Sequence, residues 1–349
     1  MFQDITLDKL FTLENKQELA LIDVRSPSEY KDATIPGSYN IPLFSDEERA
    51  EVGTLYKQVS KEAAKERGLE IVSAKLPQFI KQFGQINTEH KAVFCWRGGM
   101  RSRTTATVLD LMGIHAYRLQ GGIRAYREWV VKTLEEIDFK PEAFVLNGYT
   151  GTGKTIILQR LEQEGHPILD LEGMANHRGS VFGQIGLEPH NQKTFDALLV
   201  EKVLHLQASP YVLLEAESKR IGKSVLPEFL LKKKEQGTQI FIDMPLEERV
   251  QNILEEYRPW EHHNQCLEAF RIIKKRIHTP IATQIDNDLQ AGHYESAVSL
   301  MLDYYYDRRY EHAAEQYPDD RSVTIQVKNI DEAVQVIRDK VQTNANMSE

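Results

Sequence analysis

Short apolar runs that end in charge or glycine recur along this chain, and helical stretches follow several of them. Leu19 to Val24, closed by Arg25, and Ala92 to Phe94 read as buried strands, because apolar runs of this length bounded by polar residues fit a sheet interior. Residues 35–42, Ile-Pro-Gly-Ser-Tyr-Asn-Ile-Pro, are too rich in turn formers for a helix. Thr104 to Met112 reads as a helix stopped by Gly113, with Ser102 and Arg103 near its start. After Lys140-Pro141-Glu142 the pattern repeats, with Ala143 to Leu146 as a strand and Lys154 to Gln163 as a helix that ends near Gly165. Further strands are expected at Pro167 to Leu171, Tyr211 to Glu215 and Gln239 to Asp243. Strands alternating with helices predict parallel, helix-covered sheets, an α/β fold. From Leu246 onward the pattern is mostly helical and charged, with no internal repeat. The organisation expected is a first α/β domain over 1–135, a linker over 136–142, and a second α/β domain over 143–349 with a mostly helical C-terminal part.

The 349-residue length supports two domains rather than one core. No apolar run approaches the ~20 residues a membrane-spanning helix needs, and the first twenty residues lack a basic start and apolar centre, so a cytoplasmic location is expected. Only Cys95 and Cys266 occur, far apart, which excludes a disulfide framework and a cysteine zinc site and leaves a thiol free for chemistry. The net charge of −9 speaks against a nucleic-acid partner for the chain as a whole. Locally the sign reverses: eight basic residues stand against two acidic ones between Lys91 and Lys132. Residues 271–278 are also basic, whereas Lys232 to Lys234 read as a solvated helix face.

Two loops carry candidate chemistry. Cys95-Trp96-Arg97-Gly98-Gly99-Met100-Arg101-Ser102 places a thiol at the end of a strand and the start of a helix, where loop amides, the helix N-terminus, Arg97, Arg101 and Arg103 favour a thiolate and hold an anion. Gly148-Tyr149-Thr150-Gly151-Thr152-Gly153-Lys154-Thr155 satisfies every fixed position of the G-x-x-x-x-G-K-[ST] phosphate loop. Its amides line phosphates, Lys154 neutralises them, and Thr155 is placed to reach Mg2+. The loop specifies a phosphate-bearing ligand, which need not be a nucleotide. Asp170, Glu215, Glu217 and Asp243 all stand at strand ends as candidate metal-side acids, with no choice among them. His177-Arg178-Gly179-Ser180 and the segment with Glu217, Ser218 and Arg220 follow strands, where doubly wound sheets bind ligands. Tyr304, Tyr305, Tyr306 and Arg308 mix rings and charge in a way that suits either base stacking or a packed helix.

The first ~130 residues resemble a rhodanese domain: Asp23-Val24-Arg25, Glu29-Tyr30, residues 35–42, the Cys95 loop and Gly121-Gly122. Arg101 stands six positions after Cys95, however, where common rhodanese loops place an arginine at five. That longer cradle favours a phosphate-sized or selenium-bearing group over a bare persulfide. Joined to a phosphate-loop domain, with His177 to Ser180 and Glu217-Ser218 in this order, the chain resembles the bacterial tRNA 2-selenouridine synthase family over nearly its whole length. The resemblance implies conversion of wobble 2-thiouridine to 2-selenouridine through an S-geranyl intermediate made from geranyl diphosphate, with selenophosphate as selenium donor. It implies no tightly bound organic cofactor, and Mg2+ at Thr155. On this resemblance Gly148, Thr150, Gly151, Thr152, Gly153, Lys154 and Thr155 hold the diphosphate. Cys95 serves the selenium step, carrying a perselenide or orienting selenophosphate, and Arg97 and Arg101 clamp the anion. Arg103, Arg124, Arg178, Glu217, Ser218, Arg220 and Arg308 are the residues expected to meet substrate or the tRNA anticodon stem-loop. A selenophosphate-supplying enzyme is an expected partner. The alternative is a rhodanese-type sulfurtransferase coupled to an ATP-dependent phosphate-loop domain. Two further readings remain, a C-x5-R phosphatase and a non-catalytic tRNA-binding module.

Overall fold

The computed structural model describes residues 2–14, 19–310 and 321–347. Two compact units divide the chain, Met1–Thr133 and Leu134–Glu349. The division falls inside the helix Gly122–Glu136. Among the described residues no helix is long and apolar enough to cross a membrane.

In the first unit, strands β1 (Gln3–Ile5), β2 (Leu19–Asp23), β3 (Tyr39–Asn40), β4 (His90–Phe94) and β5 (Tyr117–Leu119) form one parallel sheet in the order β1-β5-β4-β2-β3. β2 and β4 are neighbours and buried on both faces, which is why both read as continuous apolar runs. A core of Ile22, Val24, Phe79, Phe83, Val93 and Leu109 packs against them.

The end of β2 carries a buried ion pair. Arg25 Nη2 lies 2.6 Å from Asp23 Oδ2, with the side chains 3% and 0% exposed. Arg25 Nε donates to both Asp23 oxygens at 3.0 Å, and Thr34 Oγ1 donates to Oδ2 at 3.0 Å. Arg25 Nη2 also donates to the Ala33 carbonyl. Asn40 Nδ2 reaches back to the carbonyls of Asp23 and Arg25, at 2.9 and 3.0 Å. The Asp-Val-Arg triplet thus ties the turn-rich segment over residues 33–42 to the sheet.

In the second unit, β6 (Glu142–Gly148), β7 (Ile168–Leu169), β8 (Tyr211–Glu215), β11 (Thr238–Asp243) and β12 (Ser322–Gln326) form a parallel sheet in the order β12-β11-β6-β8-β7. β9 (Arg220–Ile221) and β10 (Ser224–Val225) form a separate antiparallel pair. From β6 the chain crosses to β7 on one side, while β11 and β12 lie on the other, so the strand order switches beside β6. Ligands of open α/β sheets collect outside the carboxyl ends of strands at such a point.

Two expected boundaries move, and one strand is added. The strand expected at Pro167 to Leu171 is only Ile168–Leu169, because Asp170 accepts the Gly173 N–H at 2.7 Å and caps the helix Leu171–Ala175. The region after Leu246 is mostly helical, as expected, but it contains one strand that the sequence pattern does not predict. It returns to the sheet as edge strand β12, and the helix Ile330–Met347 packs Ala333, Val334 and Ile337 over the same core as Leu146 and Ile157. The expected helix at Thr104 begins earlier, at Met100, which brings Ser102 and Arg103 into its first turn.

Arg25→Ala would leave Asp23 charged and buried without its partner, so unfolding by urea should show a loss of about 3–5 kcal/mol. A loss below ~1 kcal/mol would mean that the pair does not hold the segment to the sheet.

Candidate functional sites: a thiol loop and a phosphate loop

β4 delivers Cys95 to the start of a loop that ends at Gly99, the N-cap of the helix Met100–Leu111. The thiol is buried, and its Sγ lies 3.2 Å from the hydroxyl of the buried Ser102. The carbonyls of Cys95 and Trp96 accept the N–H groups of Ile123 and Arg124, each at 3.0 Å, so the helix Gly122–Glu136 is docked on the loop by its own first amides. This docking needs glycine. A Cβ on Gly122, at φ 60°, would stand 2.1 Å from the Cys95 carbonyl oxygen, and one on Gly98, at φ 64°, would stand 2.9 Å from that of Leu119.

The arginines of this loop separate by partner. Arg97 is exposed, and so is Arg103. Arg101 is engaged instead by Glu29: its Nη2 donates to Oε1 at 3.1 Å and its Nη1 pairs with Oε2. Burial alone would raise the Glu29 carboxyl, but Arg101 and Arg49 outweigh it and hold the group below its ordinary range. An anion clamped by Arg101 would therefore share the guanidinium with Glu29. Arg124 pairs with Glu128 at the surface, at 2.8 Å. Arg118, one of the eight basic residues between Lys91 and Lys132, donates its Nη1 to the Gly98 carbonyl at 3.1 Å while Asp4 holds its other nitrogens at 2.7 Å. It braces the loop from β5.

In the second unit the phosphate loop joins β6 to the helix Lys154–Gln163. Gly151 and Gly153 sit at φ 87° and 70°. A Cβ on Gly151 would meet the Arg249 carbonyl oxygen at 2.7 Å, and one on Gly153 would meet Ile330 Cδ1 at 2.6 Å. Thr152, fully buried, donates its hydroxyl to the Tyr149 carbonyl at 3.0 Å, which closes the turn from within. Lys154 Nζ lies 3.5 Å from the Gly148 carbonyl.

One face of the helix Leu246–Tyr257 supports this loop. Positions 249, 252, 253, 256 and 257 share a face at helical spacing. Asn252 Nδ2 donates to the Gly151 carbonyl at 2.9 Å. Arg249 reaches the Thr150 carbonyl at 3.4 Å and is fixed by Asp307 through two bonds of 2.8 Å. Ile253, Glu256 and Tyr257 then line the cavity into which the loop opens.

That cavity, about 490 Å³, gathers Thr150, Gly151, Gly153, Lys154 and Thr155 with Arg178, Glu217 and Ser218. It also gathers Glu172 and Glu256, which the sequence pattern does not single out, and Lys234. Thr155 Oγ1 donates to Glu172 Oε2 at 2.6 Å. Glu172 and Glu217 both face Gly179, since a Cβ there would lie 3.0 Å from Glu172 Oε1 and 2.7 Å from Glu217 Oε2. Burial, then the neighbouring Glu217, pushes the Glu172 carboxyl up to about 8. Lys234, one of the run read as solvated, turns inward to the Glu217 carbonyl, and burial lowers its ammonium from the usual lysine range. Arg178 bonds the Ile185 carbonyl at 2.8 Å and Glu256 at 2.9 Å and covers the Tyr257 ring at 4.6 Å. It therefore joins the cavity wall to the helical part.

The four acids at strand ends have different surroundings. Asp170 caps a helix, and Asp243 is exposed. Glu215 is fully buried, accepts the Leu171 N–H at 3.1 Å, and is raised well above its ordinary range, first by burial. Glu217 alone of the four lines the cavity. Ser218 donates to the Arg220 carbonyl at 2.7 Å, and the Arg220 side chain is exposed outside the cavity wall. Arg308 is exposed and stacks on Tyr304 at 5.5 Å, while Tyr305 and Tyr306 line the cavity. Cys266 is buried in the helical core, and its thiol is pushed up to about 11 by that burial. Among the described residues no three His, Cys, Asp or Glu side chains form a metal cluster.

Glu172 gives the free protein a pH signature. Its folded value of about 8 lies above the usual 4.5, so between these limits the unfolded chain ionises first and the folded state loses stability as pH rises. Glu172→Gln removes that loss, and its Tm relative to the unaltered protein should climb from pH 5 to pH 8. A difference that stays flat or falls would show that Glu172 is not held neutral.

Known proteins resemble both units. A family model described as the tRNA 2-selenouridine synthase AAA domain matches residues 141–344, and a rhodanese-like domain model matches residues 6–128. A curated relative from Nitrosomonas europaea, named tRNA 2-selenouridine synthase, is 36% identical over 260 residues, covering 73% of this chain and 67% of its own. One of the same name from Bdellovibrio bacteriovorus is 38% identical over 253 residues, covering 69% and 65%. Another, from Shewanella frigidimarina, is 31% identical over 341 residues, covering 88% and 91%. The match thus spans about two thirds of the first two relatives and nine tenths of the third. With both of its units accounted for in their chain order, the protein belongs to the tRNA 2-selenouridine synthase family.

Proposed function

We propose that this chain is a tRNA-modifying transferase that replaces sulfur by selenium in wobble 2-thiouridine, in two steps that use its two loops separately. In the first, the thiocarbonyl sulfur attacks C1 of geranyl diphosphate, the C–S bond forms, the C–O bond breaks and diphosphate leaves. In the second, the selenium of selenophosphate adds at C2 of the alkylated base, the C–S bond breaks with loss of geranylthiol, and water cleaves the P–Se bond, releasing phosphate and leaving the selenium on the base. Alkylation makes the order sensible, because it converts a poor sulfur leaving group into a better one.

The observation that carries this reading is the phosphate loop opening onto a cavity that holds Lys154, Thr155 and Lys234 together. Amides and ammonium groups bind a diphosphate as substrate and stabilise it more as a leaving group, when its charge grows. Mg2+ fits the same place. Thr155 and Glu172 offer oxygen donors side by side, and Mg2+ prefers one or two protein oxygens together with substrate phosphates and water. Such an ion would neutralise the diphosphate, and Thr155 and Glu172 would hold it. The selenium step falls to Cys95, whose buried thiol is 3.2 Å from Ser102 and next to the exposed Arg97. The basic surface around this loop draws in the anticodon stem-loop, and that binding weakens with salt. A tRNA substrate puts the reaction in the cytoplasm, with an enzyme that makes selenophosphate as its supplier.

Cys95→Ala should abolish 2-selenouridine while S-geranyl-2-thiouridine still forms, read by mass spectrometry of tRNA nucleosides. Normal selenation by this variant would remove Cys95 from the reaction. Lys154→Ala should weaken geranyl diphosphate about 10- to 100-fold, the worth of one charge-assisted contact, with geranyl transfer lost in parallel. Unchanged transfer, or better protection of the loop from proteolysis by ATP than by geranyl diphosphate, would favour the ATP-coupled sulfurtransferase instead.

A further inference from the structure

Beside the phosphate cavity lies a second, narrower space whose lining is almost wholly apolar. Thr150, Ser180, Ile253, Tyr257 and Tyr306 line both, so one space begins where the other ends. Beyond this shared mouth the walls are Leu289, Val298, Met301 and Leu302, drawn from the helical part that follows β11, together with Phe182 and Ile185 from the segment after the helix Leu171–Ala175. The polar groups at the edge already have partners. The Tyr294 hydroxyl lies 2.9 Å from His263 Nδ1, and the Tyr257 hydroxyl lies 3.4 Å from Ser180 Oγ. Leu302 and Tyr306 reach the space from a π-helical turn, Leu302–Tyr306, a geometry that recurs at functional sites.

From this juxtaposition we infer that the helical part of the second unit is a hydrocarbon-tail site, which takes the apolar chain of a diphosphate ester whose head is held by Lys154 and Thr155. The inference rests on the reading of the phosphate loop as a diphosphate-ester site and adds where the chain goes and what limits its length. A nucleoside would find few hydrogen-bond partners in such a lining, and burying its base and ribose polar groups there would be costly. A prenyl chain has nothing to lose. It buries apolar surface at every carbon, and the flexible Met301 adapts to its shape. The helix Leu246–Tyr257 forms the shared wall: Arg249 and Asn252 hold the phosphate loop, and Ile253 and Tyr257 hold the mouth of the tail site.

The test is calorimetric binding to the whole chain of inorganic pyrophosphate and of five-, ten- and fifteen-carbon prenyl diphosphates. The ten-carbon ester should bind at least tenfold more tightly than pyrophosphate. Val298→Phe fills the space and should weaken that ester at least tenfold while pyrophosphate binding, which also reports a folded site, stays the same. Val298→Ala only removes atoms and should shift preference toward the fifteen-carbon chain. Equal binding of the ester and pyrophosphate by the unaltered protein would overturn the inference. So would Val298 variants that change no chain-length preference while pyrophosphate still binds. If instead Lys154→Ala leaves all of these ligands unaffected, the diphosphate reading itself fails, a result distinct from either.

Discussion

Each anion loop depends on a neighbouring chain lying where a side chain would otherwise stand. Gly122 is pressed against the Cys95 carbonyl, and Gly151 against that of Arg249. Any Cβ at these positions would come within 3 Å of backbone, and the positive φ angles add strain for other residues. The consequence is mechanical. A loop held this tightly keeps its amides oriented before a ligand arrives, so binding an anion costs little reorganisation.

The electrostatics around the phosphate loop follow from burial. Glu172, Glu215 and Glu256 are all raised by loss of solvent; Thr155 and Lys154 offset this at Glu172, the Leu171 amide at Glu215, and Arg178 and Lys154 at Glu256. An empty cavity therefore favours a neutral Glu172 that accepts the Thr155 hydroxyl. Arrival of a metal-bearing diphosphate would favour the ionised form. In the first unit the equivalent tension lies between Glu29 and an incoming anion, both of which call on Arg101.

What was legible in the sequence was local. Cys95, Lys154 and Thr155 stand at fixed spacings inside strand-loop-helix units, and the strands Tyr211–Glu215 and Thr238–Asp243 have apolar centres, Val212 to Leu214 and Ile240 to Ile242. What was missed is reached through tertiary packing. Glu172 lies eighteen residues past Lys154, yet the two-residue strand β7 folds it back onto Thr155. Arg249, Asn252 and Glu256 looked like one more charged helix, and only their common face marks them as loop supports. Lys234 shows the same limit, because Lys232, two positions before it, is exposed and pairs with Glu228 across the helix surface. Edge strand β12 was hidden for another reason: only part of it is buried, so it lacks the apolar run that betrays a central strand.

The proposed reaction needs one chain to carry out both alkylation and selenium insertion at the same base. Mass spectrometry of wobble nucleosides from cells lacking this protein and supplied with it again, with and without selenium, measures that directly. The expected result is S-geranyl-2-thiouridine when selenium is withheld and 2-selenouridine when it is given, each only in the presence of the chain. Wobble nucleosides that are the same with and without the protein would contradict it.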